Sequence, residues 1–434
     1  SDIDAKLDLF CYNHCDNSES DFVKECRGVI FSEDKIIWKG FPYTEEYTTE
    51  ENSFNKLKEK LDQSRLDKYR FYDSHEGALL RVFYWQNKWY ISTHRKLDAF
   101  RSKWASKLSF GDMFKSAIEH LYENIDSDMH KYINSLETEN NGSIFWKFIN
   151  SLDKEKHYMF LILNNYDNRI VCQAPEIPVT YHVGTTDLDG NIIDIVLPIQ
   201  FPHEYKFDSF DSMREKVINN GPVNLQGIVI YDNENKKQYK LFDADYYKLF
   251  QVRGNEPSVK YRYLQIRNDK QLVDDLYYLY PKFADAFDDY ENTLYECGKM
   301  INKYYIDRFI KKKYVTVPKE EYAVMTGCHQ WHLEDRTKNR ISLRKVIDIL
   351  NEQPASNLNR IIRRFKNEET KTQLTNQTKT TRLRARSYSH NSDENYTRDR
   401  YSRDSRNRST RDTRDRPIPE NGSPRSPTIT TNVM

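Results

Sequence analysis

The chain has 434 residues and a mass of 52.0 kDa, and its 67 Lys and Arg almost balance 66 Asp and Glu, so the whole molecule carries only +1 and gives no overall polyanion-binding signal. No apolar run approaches the roughly 20 residues of a membrane span, and the opening Ser1-Asp2-Ile3-Asp4 lacks an apolar signal core. Six cysteines in so long a chain make no disulfide framework, so an intracellular, cytoplasmic protein without a membrane partner is expected.

Residues 1–267 read mainly as strands. Val29-Ile30-Phe31 and Ile36-Ile37-Trp38 form a pair across a Glu-Asp turn. Ala78–Phe83 and Trp89–Thr93 form a second, joined through Gln86-Asn87, residues that suit a tight hairpin. Met159–Leu163 and Arg169–Cys172 are expected as a third pair, and Gly227–Tyr231 with Gln238–Phe242 as a fourth. Between them, Phe114, Ile118 and Leu121 fall at helical spacing and predict one helix over Phe110–Ile133.

From 268 to 365 the pattern turns helical. Leu272, Leu276 and Leu279 share one face, Phe283, Phe287, Tyr290 and Leu294 follow Pro281, and Val346, Ile347 and Leu350 mark a helix capped near Ser342. Leu358, Ile361, Ile362 and Phe365 mark the last. After Lys366 the apolar periodicity ends, and residues 366–434, rich in Arg, Ser and Asp, read as a disordered tail. From Arg382 onward twelve arginines face seven acids, a local charge of about +5 that leaves the rest mildly acidic.

A series of short blocks carries the functional signal. Arg27-Gly28 opens one strand, and Trp38–Tyr47 follows it. Ser74-His75-Glu76-Gly77 precedes Ala78–Phe83, with Arg81 inside that strand, and Ser92-Thr93-His94-Arg95-Lys96 ends the next. Asn168-Arg169-Ile170-Val171, Leu225-Gln226-Gly227-Ile228-Val229 and Tyr239-Lys240-Leu241-Phe242 complete the series. In order and rough spacing these resemble the motifs of the phage and fungal tRNA-repair RNA ligases. That resemblance implies an α+β architecture: a nucleotidyltransferase (ATP-grasp-like RNA/DNA ligase) domain with antiparallel sheets, then the all-helical domain and the tail. It also implies ATP with Mg2+ as cofactors and places His75, Glu76, Gly77, Arg81, Lys96 and Gln226 around the nucleotide.

The chemistry departs from that family. Its nucleophilic lysine stands at Ser74, a glutamate is replaced by Gln226, and of its final lysine pair only Lys240 remains, with Phe242 two residues on. The strand before Asn168 carries no carboxylate. Adenylation needs an amine with a lowered pKa to attack the α-phosphorus, and a serine hydroxyl without a base does not replace it. The leading reading is therefore an RNA-ligase-like protein with a degenerate adenylation site that binds RNA ends, a nucleotide or a protein partner. A rival is an active ATP-dependent RNA ligase whose amine is Lys68, Lys96 or Lys240. A third is a structural, virion-associated protein reusing the scaffold. The Asn-, Lys- and Ile-rich, Gly-poor composition fits the AT-rich genome of a large DNA virus.

Lesser features read more plainly. Lys260-Tyr261-Arg262-Tyr263 interleaves basic and aromatic residues; as a strand it would set Lys260 and Arg262 opposite Tyr261 and Tyr263, a pattern for RNA phosphate contact with base stacking or for an amphipathic strand. Cys328-His329-Gln330-Trp331-His332 has no second ligand cluster nearby, so no structural metal is expected.

Overall fold

The computed structural model describes residues 1–136 and 142–388. They divide into two compact units, one over Ser1–Ala284 and one from Asp285 onward.

The first unit is built on three sheets. β1 (Leu7–Cys11), β2 (Arg27–Ser32) and β3 (Lys35–Trp38) form an antiparallel N-terminal sheet. The second sheet has the order β10-β5-β11-β12-β4, comprising β4 (Glu45–Thr48), β5 (Tyr69–Ser74), β10 (Glu204–Tyr205), β11 (Gly227–Asp232) and β12 (Gln238–Phe242). It is antiparallel except where β4 runs parallel to β12. The third is antiparallel with order β7-β6-β8-β9, from β6 (Gly77–Trp85), β7 (Lys88–Ser92), β8 (His157–Leu163) and β9 (Thr180–Thr186). The Gln86-Asn87 hairpin forms as expected, with φ of 45° and 63°, the left-handed pair that a tight primed turn needs.

Period-two alternation decides which side chains face which layer. On β6, Leu80 and Val82 join Phe114, Phe148 and Phe160 beneath α3 (Phe110–Glu123), α4 (Asp128–Ser135) and α5 (Ile144–Ser151). On the second sheet, Phe71, Ile228, Ile230, Tyr239 and Leu241 pack against α2 (Glu51–Lys60) and α6 (Phe210–Asn220). Leu79, Phe83, Met159 and Tyr231 turn the other way, into a third core with Trp38 and Phe41. Each fully buried Phe or Leu contributes about 1.5–3 kcal/mol. The residues left over from these alternations, Ser74 and Lys240 among them, therefore project between the two larger sheets.

Four expectations need correction. Phe110–Ile133 is two helices, because Ser127 caps a fresh start, its Oγ accepting from the His130 amide at 3.0 Å. Arg169–Cys172 is not a strand: β8 pairs with β6 and β9 instead, and the amides of residues 170–172 all converge on one carboxylate, which an alternating ladder cannot do. Lys260–Arg267 is not a strand either. Val259–Ile266 is helix α8, preceded by α1 (Asp21–Glu25) and α7 (Ala244–Arg253) in the chain numbering, and it starts where Ser258 Oγ accepts from the Tyr261 amide. Val259, Tyr263, Leu264 and Ile266 are its buried residues, a helical spacing that the short alternating run concealed. Finally, the chain beyond Lys366 continues as helix to Tyr388, so the tail assigned to 366–434 begins as helix; residues 389–434 lie outside the described set.

α9 (Lys270–Leu279) closes the first unit, burying Leu276 and Leu279. The second unit is helical: α10 (Ala284–Tyr305), α11 (Lys319–Glu334), α12 (Leu343–Asn351) and α13 (Ala355–Tyr388). Ser342 caps α12 as expected, accepting from the Lys345 amide. Gly327 lets α11 approach α12 closely, since a Cβ there would lie 3.1 Å from Ile349 Cγ2. Cys328 is buried on α11, and His332 Nδ1 lies 2.7 Å from the Asn339 carbonyl. No group of three or more metal-capable side chains occurs among the described residues. No described helix is long and apolar enough to cross a membrane.

Candidate functional site

A cleft enclosing about 100 Å3 opens between the inner faces of the second and third sheets. Ser74 and Lys240 line it from β5 and β12, and Leu161 and Val183 from β8 and β9. Phe41 and Thr44, from the Trp38–Tyr47 stretch, and Tyr72, Phe201 and Tyr231 complete its apolar and aromatic wall.

Ser74 is 2% exposed and its Oγ donates to the Gln226 side-chain oxygen at 3.1 Å. The Gln226 amide donates to Tyr246 Oη at 2.6 Å. Lys240, 3% exposed, reaches the same Gln226 oxygen from 3.5 Å. That long bond is the only hydrogen bond its ammonium makes among the described residues, which otherwise offer it the Phe242 ring at 5.3 Å and no carboxylate within ion-pair distance. Burial holds its pKa below the lysine range and Arg27 pushes the same way; half-buried Glu46, its register partner on β4, and Glu76 pull it back up. Burial in turn raises Glu46, against the pull of Lys240 and Arg27.

Other polar groups of the cleft are also incompletely partnered. Asp73 Oδ1 and Tyr231 Oη are buried without a hydrogen-bond partner among the described residues. His75 stacks on Tyr181, ring centroids 4.9 Å apart at 12°. Burial lowers its pKa against the attraction of Asp73, whose Oδ2 is 4.0 Å away.

Glu76 behaves differently. Its carboxylate accepts from the amides of Ile170 at 3.1 Å, Val171 at 2.7 Å and Cys172 at 3.0 Å. Burial raises its pKa and these bonds oppose the rise. Tyr280, just after α9, secures the same loop by donating to the Ile170 carbonyl at 2.7 Å. Gly77, the next residue, has no room for a side chain: a Cβ would lie 2.3 Å from the Ile162 carbonyl oxygen.

Two buried arginines lie outside the cleft lining, and Arg27 touches its wall at Thr44. Arg27 donates to the Pro42 carbonyl and to Thr44 Oγ1, and Arg81 to the carbonyls of Gly28 and Thr93. Both are buried, and neither has a carboxylate partner among the described residues. Their uncompensated charge leaves a positive potential. Gly28 meets this cluster with φ +71°, and a Cβ there would lie 2.7 Å from the His94 carbonyl oxygen.

The remaining expected residues lie elsewhere. Lys96 is exposed and donates to the Arg101 carbonyl at 2.8 Å. Lys68 pairs with Asp232 at 3.2 Å and Glu234 at 3.5 Å, at the far end of β5 from Ser74. On α8, Lys260 is exposed, Tyr261 is half-buried, Tyr263 packs edge-on against Tyr277, and Arg262 donates to the Val252 and Gln251 carbonyls that end α7. Asp73, Tyr231, Tyr181 and Tyr246 were missed by sequence reasoning. Asp73 was the most accessible of them, as the residue adjoining Ser74 on the same strand.

No family model matches the chain. It is 31% identical over 387 residues to the immediate-early protein ICP-46 homolog of Invertebrate iridescent virus 6, covering 82% of this chain and 80% of that one. It is 29% identical over 287 residues to the homolog from Invertebrate iridescent virus 3, covering 64% and 59%. With the ICP-46 protein of Frog virus 3 (isolate Goorha) the figures are 24% over 258 residues, 55% and 58%. A putative ATP-dependent DNA ligase from Aquifex aeolicus aligns structurally over 63% of this chain and 67% of its own, but with 10% identity and a TM-score of 0.33, too slight a likeness to carry an argument. By its identity over four-fifths of both chains with the first of these relatives, the protein belongs to the viral ICP-46 immediate-early protein family.

Proposed function

We propose that this protein binds a nucleotide in the Lys240 cleft of a ligase-like nucleotidyltransferase scaffold and, with Ser74 in place of a lysine, lacks the covalent step of the RNA ligases it resembles. One observation carries the reading: a single cleft holds an under-coordinated ammonium at Lys240, an unpartnered acceptor at Asp73 Oδ1, an unpartnered phenol at Tyr231, and aromatic walls. A nucleotide offers the complement of each, namely phosphate oxygens, ribose or exocyclic donors, and a flat base. Buried polar groups without partners are costly, about 1–3 kcal/mol each, and a ligand that completes them recovers that free energy. The buried arginines add attraction for phosphate.

Loss of chemistry at 74 follows from the side chains. Ser74 presents a hydroxyl, held by Gln226. Of the cofactors implied by the ligase resemblance, ATP suits the cleft as a ligand. The donor set does not fit Mg2+: Glu76 is committed to three amides, Gln226 is uncharged, and of the two carboxylates lining the cleft exposed Asp194 pairs with Arg70 at 3.7 Å, which leaves Asp73 to offer a carboxylate oxygen. A second reading keeps catalysis. Among Lys68, Lys96 and Lys240, only Lys240 lines the cleft, and its lowered pKa suits a nucleophile.

Calorimetric titration with AMP and ATP tests binding. Incubation with α-labelled ATP and magnesium or manganese, followed by denaturation, tests the covalent step. Saturable binding without retained label is the expected result. Label mapped to Lys240 would replace this reading with the active-ligase one, and absence of binding would remove both.

A further inference from the structure

A second hollow of about 290 Å3 adjoins the Lys240 cleft. It lies between α1, the loop before β4, the turn after β9 and the β11–β12 turn. The two spaces share Phe41, Ile192 and Gln238 in their walls, so these side chains border both.

Four lysines line the second hollow. Two are already neutralised: Lys24 by Glu45 and Lys39 by Glu25, each at 2.8 Å. Lys236 and Lys237 are exposed and form no ion pair among the described residues. They sit on the same hairpin as Lys240, three and four residues before it. Their turn is stiff, because the Asp232 carboxylate accepts from the amides of Glu234 and Asn235, both at 2.9 Å, and from the Asn235 side chain at 2.8 Å. Two unneutralised ammonium groups are thus held on an anchored turn that lines a hollow sharing three wall residues with the Lys240 cleft. A β-strand rises about 3.3 Å per residue, so the Lys237 and Lys240 backbones lie about 10 Å apart, with Lys237 lining the second space and Lys240 the first.

We propose that this hollow holds a further phosphate group carried by the nucleotide in the Lys240 cleft. Two sources share that chemistry, the outer phosphates of a nucleoside triphosphate and the phosphodiester of a nucleotide chain. The proposal rests on the nucleotide reading above.

Titrate the full chain with AMP, ATP and the dinucleotide pApA, alongside the double variants K236E/K237E and K236Q/K237Q, with thermal melting to verify folding. The wild type binds ATP or pApA about tenfold more tightly than AMP, a gain of about 1.4 kcal/mol. Both variants retain AMP affinity and lose most of that gain. With pApA the slope of log affinity against log salt falls by about 0.7, the value for one lost phosphate contact. A gain with ATP alone assigns the hollow to a polyphosphate, and a gain with pApA alone to a nucleotide chain. A gain that survives in both variants, or equal affinity for all three ligands, overturns the inference while leaving the cleft reading intact. Failure of AMP itself to bind overturns both.

Discussion

Two buried charged side chains of the first unit, Glu76 in the turn between β5 and β6 and Lys240 on β12, are handled in opposite ways. Glu76 is wrapped by three amides from one loop, and Tyr280 secures that loop. Lys240, equally buried, makes one long bond to an amide oxygen and faces its nearest carboxylate only across a strand pair. A fully coordinated buried charge holds structure together. An under-coordinated one lowers stability and is explained by what it can bind. The contrast separates scaffold from site within a single motif series.

Removing each group should therefore have different consequences. Glu76→Ala leaves three buried amides without an acceptor and should destabilise the first unit by about 3–5 kcal/mol in chemical denaturation. A loss below about 1 kcal/mol would mean that the loop has other support. Lys240→Met keeps the volume and removes a poorly solvated charge, so stability should hold or rise. Its nucleotide affinity should fall about 30-fold, a loss of about 2 kcal/mol in calorimetry. If stability drops as it does for Glu76→Ala, Lys240 is a structural residue and the contrast collapses.

The pH dependence sharpens the same point. Burial depresses the pKa of Lys240 to about 8. The ammonium is the form that holds phosphate, so affinity should be complete below that value and fall about tenfold as the pH rises from 7 to 9. Free-protein stability should move the other way over the interval up to the ordinary lysine pKa, because there the unfolded chain binds the proton that the folded one has released. Parallel titrations and melts over pH 7–9 read both signs, and affinity independent of pH would exclude Lys240 as the phosphate ligand. The smallest effect belongs to Lys96→Ala, which should change affinity and stability by less than about 0.5 kcal/mol, since that side chain is exposed and directed to the Arg101 carbonyl.

The sequence carries much of this layout in local signals. The Gln86-Asn87 hairpin, the β11–β12 pair and the Ser342 cap depend on residues close together in the chain, and each forms where expected. The clamp on Glu76 was not legible, because it joins residues 94 to 96 positions apart and an Ile-Val run imitates a strand. The Lys260–Arg267 run alternates well enough to suit either a strand or a helix, and only Ser258 and the buried Val259, Tyr263 and Leu264 decide it. Lys96 and Lys240 looked equivalent in the motif order. What distinguishes them is that Lys240 lies inside β12 and lines the cleft, whereas Lys96 lies past the end of β7 and is exposed, a difference that motif order does not encode.

The bond between Ser74 and Gln226 also limits which single substitutions the cleft can absorb. A lysine at position 74 would set a second buried cation beside Lys240, facing the uncharged Gln226 amide, at a cost of about 3–5 kcal/mol. A carboxylate at position 226 would have to arrive in the same step, and that position lies 152 residues away in the chain. Selection acting on single mutations would therefore leave both residues as they are, each held in place by the other.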